Sequence, residues 1–228
     1  MISTPVPGQS IMSGSTIALL SLASLIAYLL GSIPTGFLLA KALRGIDIRE
    51  HGSGNTGATN VFRVMGKGAG IAALVIDLSK GITAVLLMRW LVTHSDLFGS
   101  RLSEISDQAA AWAYVLAAAL AVLGHSKSVW LGFTGGKSAA TGLGVLLALT
   151  WPVALSVASV FGVAVGISRT VSVGSIAAAM SVVVFMWLTG QPIAYVWLAI
   201  AGGLYVVLRH RSNIVRLLEG TEPKTFGS

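Results

Sequence analysis

The chain of 228 residues is strongly apolar: 54% of its residues are hydrophobic, its mean hydropathy is +0.83, and only 10% are Asp, Glu, Lys or Arg. Soluble domains carry about 25% charged residues, so the composition excludes a soluble globular enzyme, a disordered protein and a collagen-like fibre. The 15 Lys and Arg outnumber the 8 Asp and Glu, which gives a net charge of +7. In so apolar a chain, this excess favours positively charged cytoplasmic loops over nucleic acid binding. The absence of cysteine excludes disulfides and thiolate metal sites.

Seven apolar runs predict an all-α integral membrane protein with seven transmembrane helices. The runs are Ile17–Leu43, Ile71–Val92, Ala109–Leu123, Ala139–Trp151, Val153–Ile167, Gly174–Leu188 and Ile193–Leu208. The first two reach the length of about 20 residues that spans a bilayer, and the others reach it only together with flanking residues. We therefore expect a flexible N-terminal tail over 1–16, a transmembrane domain over 17–208 and a cytoplasmic C-terminal segment over 209–228.

The number of passes depends on Pro152, which leaves Ala139–Ile167 as either one kinked helix or a tight hairpin of two. One helix of these 29 residues would be about 43 Å long, well beyond a hydrocarbon core of about 30 Å. With seven passes, twelve of the fifteen Lys and Arg share one face, and only Arg89 and Arg101 lie on the other. Since six passes would divide the charges evenly, the positive-inside rule favours seven, with the N-terminus outside and the C-terminus in the cytoplasm.

Four polar segments on the predicted cytoplasmic face carry the residue types that bind anions. Their sequences are GSGNTGATN from Gly52, followed by Val-Phe and Arg63; GHSKSVWLGFTGGKSAATGLG from Gly124; SRTVSVGS from Ser168; and RHRSNIVRLLEG from Arg209. Glycines let backbone N–H groups approach an oxyanion closely, and a helix N-terminus adds a partial positive charge. We expect these segments, with Arg63, Lys137 and Asn213, to surround one or two phosphates.

The established phosphate signatures do not fit. The stretch GSGNTG matches Gly-x-Gly-x-x-Gly, but it lies between membrane spans with no preceding strand. The stretch GFTGGKS resembles a P-loop, yet Leu131 occupies the position of its first glycine. No metal-ligand spacing and no Gly-x-Ser-x-Gly turn occurs, so we predict no metal, no cofactor and no serine nucleophile of that type.

Each candidate also has a purely structural interpretation. The hydroxyl residues of the first segment are typical helix caps. Arg209 and Arg211 are typical topology determinants that face lipid headgroups, and His210 beside them suits an interfacial position as well as a catalytic base. Asp77 and Lys80 lie three residues apart in a span, so they share a helical face and are predicted to form a structural pair that supports the first segment.

Taken together, the first segment with Arg63, the Gly-Gly-Lys loop ending at Lys137, the SRTVSVGS stretch and the His-Arg-Ser-Asn of 210–213 resemble the bacterial acyl-phosphate:glycerol-3-phosphate acyltransferases of the PlsY type. The resemblance implies seven transmembrane helices in the bacterial cytoplasmic (inner) membrane, with the active site on the cytoplasmic face. It also implies transfer of a fatty acyl group from acyl phosphate to the 1-hydroxyl of sn-glycerol 3-phosphate, giving lysophosphatidate and phosphate, the first step of phospholipid biosynthesis. The chain differs at Ser126–Ser128, where an aromatic residue and a proline are common, and at Ser138-Ala139, where Gly-Val is common.

The resemblance implies site residues in all four segments. The catalytic set is Ser53, Lys137 and His210, and the substrate-binding set is Asn55, Thr59, Asn60, Arg63, Gly135, Gly136, Ser138, Ser175 and Asn213. We expect the backbone of 135–138 to hold acyl phosphate, and Ser53 and His210 to orient the hydroxyls of glycerol 3-phosphate. The proton acceptor is either His210 or a phosphate oxygen of the substrate.

Two other classes of protein remain as alternatives. A small membrane transporter for phosphate-bearing anions would place polar residues near the midplane of both halves, whereas the polar residues here lie on one face. A non-catalytic assembly protein would not need anion-binding loops. None of the four histidines has Asp five residues later, which favours an acyl-phosphate donor over acyl-CoA. The predicted partners are the two small substrates and the lipid bilayer, with no nucleic acid and the oligomeric state open.

Overall fold

The computed structural model describes residues 13–224, and the regular elements in that range are all helices, as predicted. The α-helices are α1 Gly14–Ser32, α2 Thr35–Arg44, α3 Ala58–Met65, α4 Lys67–Thr93, α5 Asp107–Ser126, α6 Ala139–Leu149, α7 Trp151–Ser168, α8 Val171–Leu188, α9 Ile193–Arg209 and α10 Arg211–Leu218. Four short 3₁₀ turns connect them, at Ile48–Glu50, Ser95–Phe98, Leu102–Glu104 and Val129–Leu131. Residues 1–12 of the tail predicted over 1–16 lie outside the described residues. Helix α1 begins at Gly14, and Ser13 is its N-cap.

Five helices are long and apolar enough to cross a membrane: α1, α4, α5, α7 and α8. A sixth candidate is α9 taken together with α10, although the pair is bent by 57°. Helix α6 has 11 residues, so it rises only about 16 Å, roughly half of a hydrocarbon core. The chain is therefore a multi-pass integral membrane protein with five or six candidate spans.

The first apolar run, Ile17–Leu43, is two helices, which corrects the prediction of one long span. Pro34 has no N–H to donate and its ring prevents the preceding residue from staying helical. Ile33 accordingly leaves the helix at φ −53° and ψ 117°, and α2 restarts at Thr35. The carbonyl of Ile33 accepts a hydrogen bond from the Lys80 ammonium, so a buried cation stabilises the break.

The chain over Ala139–Ile167 is also two helices, which excludes the kinked single helix. Thr150 has an extended backbone, with φ −157° and ψ 92°, between α6 and α7. Pro152 lies in the first turn of α7. The N–H groups of a first turn have no carbonyl acceptor within the helix, so the N–H that proline lacks is not missed there. The proline therefore begins a helix here and does not bend one.

Small residues allow the helices to pack closely, as in membrane bundles generally. A Cβ on Gly31 would lie 2.1 Å from the Ala121 carbonyl oxygen, and one on Gly81 would lie 2.2 Å from that of Thr141. Helices α5 to α9 form a ring in which each packs on the next and α9 returns to α5. An apolar cluster that includes Val153 and Met186 fills one end of this ring, and the polar segments lie at the other.

Candidate functional site

The four polar segments meet at one cavity of about 1220 Å³. The predicted site residues on its wall are Ser53, Asn55, Thr59, Asn60, Arg63, Lys137, Ser138, Ser175, His210 and Asn213. Gly135 and Gly136 are the two predicted residues that do not line it. Residues separated by more than 150 positions in sequence are thus brought to one surface, as the charge pattern predicted.

Asn60, at the start of α3, holds the first segment together. Its Oδ1 accepts the Ser53 N–H at 2.8 Å, and its Nδ2 donates to the carbonyls of His51 at 3.0 Å and Asn55 at 2.9 Å. The residue is only 2% exposed. Its amide group is therefore used within the loop, and a direct contact of Asn60 with substrate stays a prediction.

The other polar groups of this segment keep free capacity toward the cavity. The side-chain Oδ1 of Asn55 accepts the Gly57 N–H at 2.8 Å, which leaves its side-chain amide hydrogens available. The side chains of Ser53 and Arg63 are exposed. Within residues 13–224, no hydrogen bond or ion pair engages the Arg63 guanidinium, so this cation is available to an anion.

The glycines of the second segment serve close packing. The Gly136 N–H donates to the His125 carbonyl at 3.1 Å, and a Cβ on Gly136 would lie 2.0 Å from His125 Nε2. The Arg209 guanidinium donates to the carbonyls of Gly135 and Gly136 at 3.2 and 3.1 Å. The Gly136 amide is therefore already bonded, and in this segment the cavity wall begins at Lys137. The phosphate cradle over 135–138 stays a prediction.

Ser138 makes a tight turn into α6 at the cavity wall. Its φ of +62° is in the left-handed region, which costs a non-glycine residue about 1–2 kcal/mol. The Ser138 hydroxyl donates to the Val122 carbonyl at 2.8 Å and fixes the turn. No side chain caps α6, and Ala139 and Ala140 of its first turn line the cavity, so its unpaired N–H groups present a partial positive charge to it.

A hydrogen-bonded network links the second, third and fourth segments across the cavity. The Lys137 ammonium donates to Asn213 Oδ1. Asn213 Nδ2 and the Ser172 hydroxyl donate to Glu222 Oε1 at 2.6 and 2.8 Å, and Arg216 Nε donates to Glu222 Oε2 at 2.7 Å. One carboxylate therefore fixes the orientation of the amide that faces the lysine.

The charges of this network shift its pKa values. Burial, opposed by Glu222 and reinforced by nearby guanidinium groups, lowers the pKa of Lys137 to about 8. Burial also acts to raise the pKa of Glu222, but the hydrogen bonds from Asn213, Ser172 and Arg216 outweigh it and hold this pKa below its usual range. The cavity end of the network is thus positive at neutral pH, as an anion site requires.

His210 directly follows α9 and lines the cavity. Its Nδ1–H donates to the Val206 carbonyl at 2.8 Å, so in the neutral ring Nε2 carries the lone pair. The side chain is 3% exposed, and burial lowers its pKa below the ordinary value. This shift favours the neutral imidazole, which can accept a hydrogen bond or a proton.

The structure also shows contributors that sequence patterns did not indicate. Glu222 and Arg216 complete the network, and Arg209, interpreted from sequence as a topology determinant, anchors the Gly-Gly-Lys loop. The predicted Asp77–Lys80 pair is confirmed at 2.6 Å and is almost fully buried. It supports the break after α1 and, through an Asp77 to His125 distance of 3.6 Å, the helix end beneath the loop.

Comparison with known proteins gives a consistent result. Residues 21–220 match the family model described as glycerol-3-phosphate acyltransferase. The chain is 52% identical over 203 residues to the glycerol-3-phosphate acyltransferase of Acaryochloris marina, covering 88% of this chain and 89% of that one. It is 50% identical over 214 residues to that of Thermosynechococcus vestitus, covering 94% and 99%.

Solved structures agree with the sequence relatives. The fold matches a crystal structure of PlsY (YgiH), an integral membrane glycerol 3-phosphate acyltransferase in its glycerol 3-phosphate form, with a TM-score of 0.78 and 38% identity. The lysophosphatidic acid form of that protein matches with a TM-score of 0.74 and 37% identity. Both alignments cover 94% of this chain and 96% of the other.

Proposed function

Because this chain belongs to the glycerol-3-phosphate acyltransferase family, we propose that its cavity holds acyl phosphate and glycerol 3-phosphate together and transfers the acyl group directly between them. The product is 1-acyl-glycerol 3-phosphate, and inorganic phosphate is released. The observation that carries this proposal is the single cavity, which joins a cationic end at Arg63 and Lys137 to an apolar interior between helices. Two phosphates and one acyl chain require that combination.

The reaction needs positioning more than it needs a protein nucleophile. Acyl phosphate is a mixed anhydride, so its carbonyl is already activated. The 1-hydroxyl oxygen attacks the carbonyl carbon, the bond from that carbon to the phosphate oxygen breaks, and the hydroxyl proton passes to a base. The protein then accelerates transfer by aligning the two substrates and stabilising the developing negative charge.

The geometry suggests where each substrate lies. The phosphate of acyl phosphate suits the unpaired N–H groups at the start of α6, next to the backbone of Lys137 and Ser138. Glycerol 3-phosphate suits Arg63, the Lys137 ammonium, Ser175 and Asn213, with Ser53 and His210 orienting its hydroxyls. Asn60 acts as a positioning residue through its bond to the Ser53 amide. The base is His210 Nε2 or a substrate phosphate oxygen.

We also propose seven passes, with the short α6 as one of them. The end of α1, the end of α5 and the starts of α6 and α8 all lie at the cavity end, as does α10. The start of α1 bonds to the turns between α4 and α5, since Thr16 and Ser100 share a hydrogen bond of 2.9 Å at the opposite end. These placements support an N-terminus on the far side from the site.

The distribution of charge supports the cytoplasmic inner-membrane face for the site. Twelve of the fifteen Lys and Arg lie at that end under this topology, as the positive-inside rule requires. The apolar cluster that includes Val153 and Met186 fills the other end of the ring. A site open at one end supports an enzyme over a transporter of phosphate-bearing anions.

The direct test is to supply the purified protein in detergent with different donors and acceptors. We expect lysophosphatidate only when acyl phosphate and glycerol 3-phosphate are both present. A requirement for acyl-CoA, or transfer to glycerol without its phosphate, would contradict the proposal. Ser53→Ala and His210→Ala, compared under the same conditions, measure how much each group contributes to kcat.

A further inference from the structure

The cavity extends far beyond the groups that bind phosphate. Below the polar residues, its wall is formed by small and aliphatic side chains from α6, α7, α8 and α9, among them Leu146, Ala158, Ala179 and Gly202. This apolar part belongs to the same cavity as Lys137, and α6 to α9 are consecutive members of the helix ring. An occupant that begins at the phosphate site and continues as an unbranched apolar chain fits it, and the acyl group of the donor has that chemistry.

The apolar part ends at a defined layer, which we call the cavity floor: Val145, Val157, Val182 and Ala199. These four line the cavity and also belong to the buried core cluster that fills the far end of the ring. Each is at most 6% exposed. On α8 the next inward residue of this cluster is Met186, which does not line the cavity. Packed side chains therefore close the cavity at this depth.

The depth of the cavity follows from helix geometry. At about 1.5 Å per residue, Ser175 to Val182 on α8 is about 10 Å, and Ala199 on α9 to His210 just beyond its end is about 16 Å. Carbon–carbon bonds of about 1.5 Å in an extended zigzag advance about 1.25 Å each. A straight chain of about 8–13 carbons therefore reaches the floor, and longer chains must bend within the cavity.

On this basis, and resting on the proposed acyl transfer, we propose that Val182 and Ala199 determine the acyl-chain length that the enzyme uses. They belong to one buried cluster and lie on the neighbouring helices α8, which carries Ser175, and α9, which ends next to His210. Their distance from the reacting carbonyl is therefore set by rigid elements. Packing of the terminal carbons on this pair stabilises donors that just reach it. Donors that exceed it must displace closely packed side chains, which costs reaction rate.

The experiment measures kcat/KM for a series of acyl phosphates of increasing chain length. In Val182→Phe, the longer side chain raises the floor by about 3–4 Å, so the optimum is expected to move about two to four carbons shorter. The ratio of long-chain to short-chain kcat/KM is expected to fall about tenfold, the cost of overpacking a closed core. Ala199→Leu, on a different helix, is expected to move the optimum in the same direction, and Val182→Ala in the opposite one.

The matched control is Val184→Phe, two residues along α8, because Val184 is 55% exposed and does not line the cavity. Its chain-length profile is expected to equal that of the wild type. If Val182→Phe and Ala199→Leu reduced all donors equally, or left the profile unchanged, the proposal would be overturned. A wild-type protein inactive with every acyl phosphate would instead refute the proposed function, so the two failures are distinguishable.

Discussion

Removal of the Lys137 charge is the perturbation for which the structure gives the clearest magnitude. Lys137→Met keeps the length of the side chain but removes the ammonium that faces the cavity. Two unit charges about 4 Å apart interact by about 4 kcal/mol at an effective dielectric constant of about 20. Because the lysine is partly solvated, we expect a loss of about 3–4 kcal/mol, which is about 10²–10³-fold in kcat/KM for glycerol 3-phosphate.

The pH dependence of the wild type tests the same charge without a substitution. The active form is protonated, so activity is expected to be lost as the pH rises through the Lys137 pKa of about 8. About nine-tenths of the side chain is charged at pH 7 and about one-tenth at pH 9. In Lys137→Arg the guanidinium stays charged, so the fall in kcat/KM between pH 8 and 9 is expected to disappear even if the rate is lower.

The assay is phosphate release from acyl phosphate at limiting glycerol 3-phosphate, with thermal unfolding in detergent as the control for folding. A loss below tenfold in Lys137→Met, with folding intact, would remove the charge from the mechanism. If kcat/KM of Lys137→Arg still fell between pH 8 and 9 as in the wild type, the fall would belong to another titrating group.

Three further predictions concern the groups that position the site. Asp77→Asn leaves Lys80 buried without its counter-ion, so the free energy of unfolding is expected to fall by about 3–5 kcal/mol. The double variant Asp77→Leu with Lys80→Met is expected to recover most of that loss. Equal Tm values for the single and double variants would contradict this prediction. Gly136→Ala is expected to displace the Gly-Gly-Lys loop and reduce kcat/KM at least tenfold, because the new Cβ would lie 2.0 Å from His125 Nε2. The control Gly162→Ala should match the wild type, because a Cβ there has no neighbouring atom within 4 Å. Asn60→Ala leaves loop groups unpaired, so it should lower stability by about 1–3 kcal/mol as measured by thermal unfolding, and an unchanged Tm would rule out the scaffold role.

The sequence was sufficient to predict the convergence of the polar segments, because charge asymmetry and span length are properties of the chain itself. The alternation of apolar runs with Gly-rich, cationic segments predicts Arg63, Lys137 and Asn213 on one face of the membrane. It also predicted the Asp77–Lys80 pair, since a spacing of three residues in a helix fixes their proximity. Both predictions depend only on the order and spacing of residues along the chain.

Other features depend on tertiary contacts that no local pattern encodes. Glycine composition alone does not distinguish a backbone that faces an anion from one that packs on a ring, and the position of His125 decides this for Gly136. The role of Glu222 depends on Ser172, fifty residues away in sequence. The break at Pro34 was predictable in principle from the geometry of proline, but the apolar run around it concealed the break.

The central claim is direct transfer between two substrates held in one cavity, with no acyl-enzyme intermediate. Incubation of the protein with acyl phosphate alone, followed by intact-protein mass measurement and phosphate analysis, tests it most directly. We expect no change in protein mass and no burst of phosphate, followed by equal amounts of phosphate and lysophosphatidate when glycerol 3-phosphate is added. A stoichiometric phosphate burst with an acyl adduct on the protein, formed before glycerol 3-phosphate is present, would contradict the account.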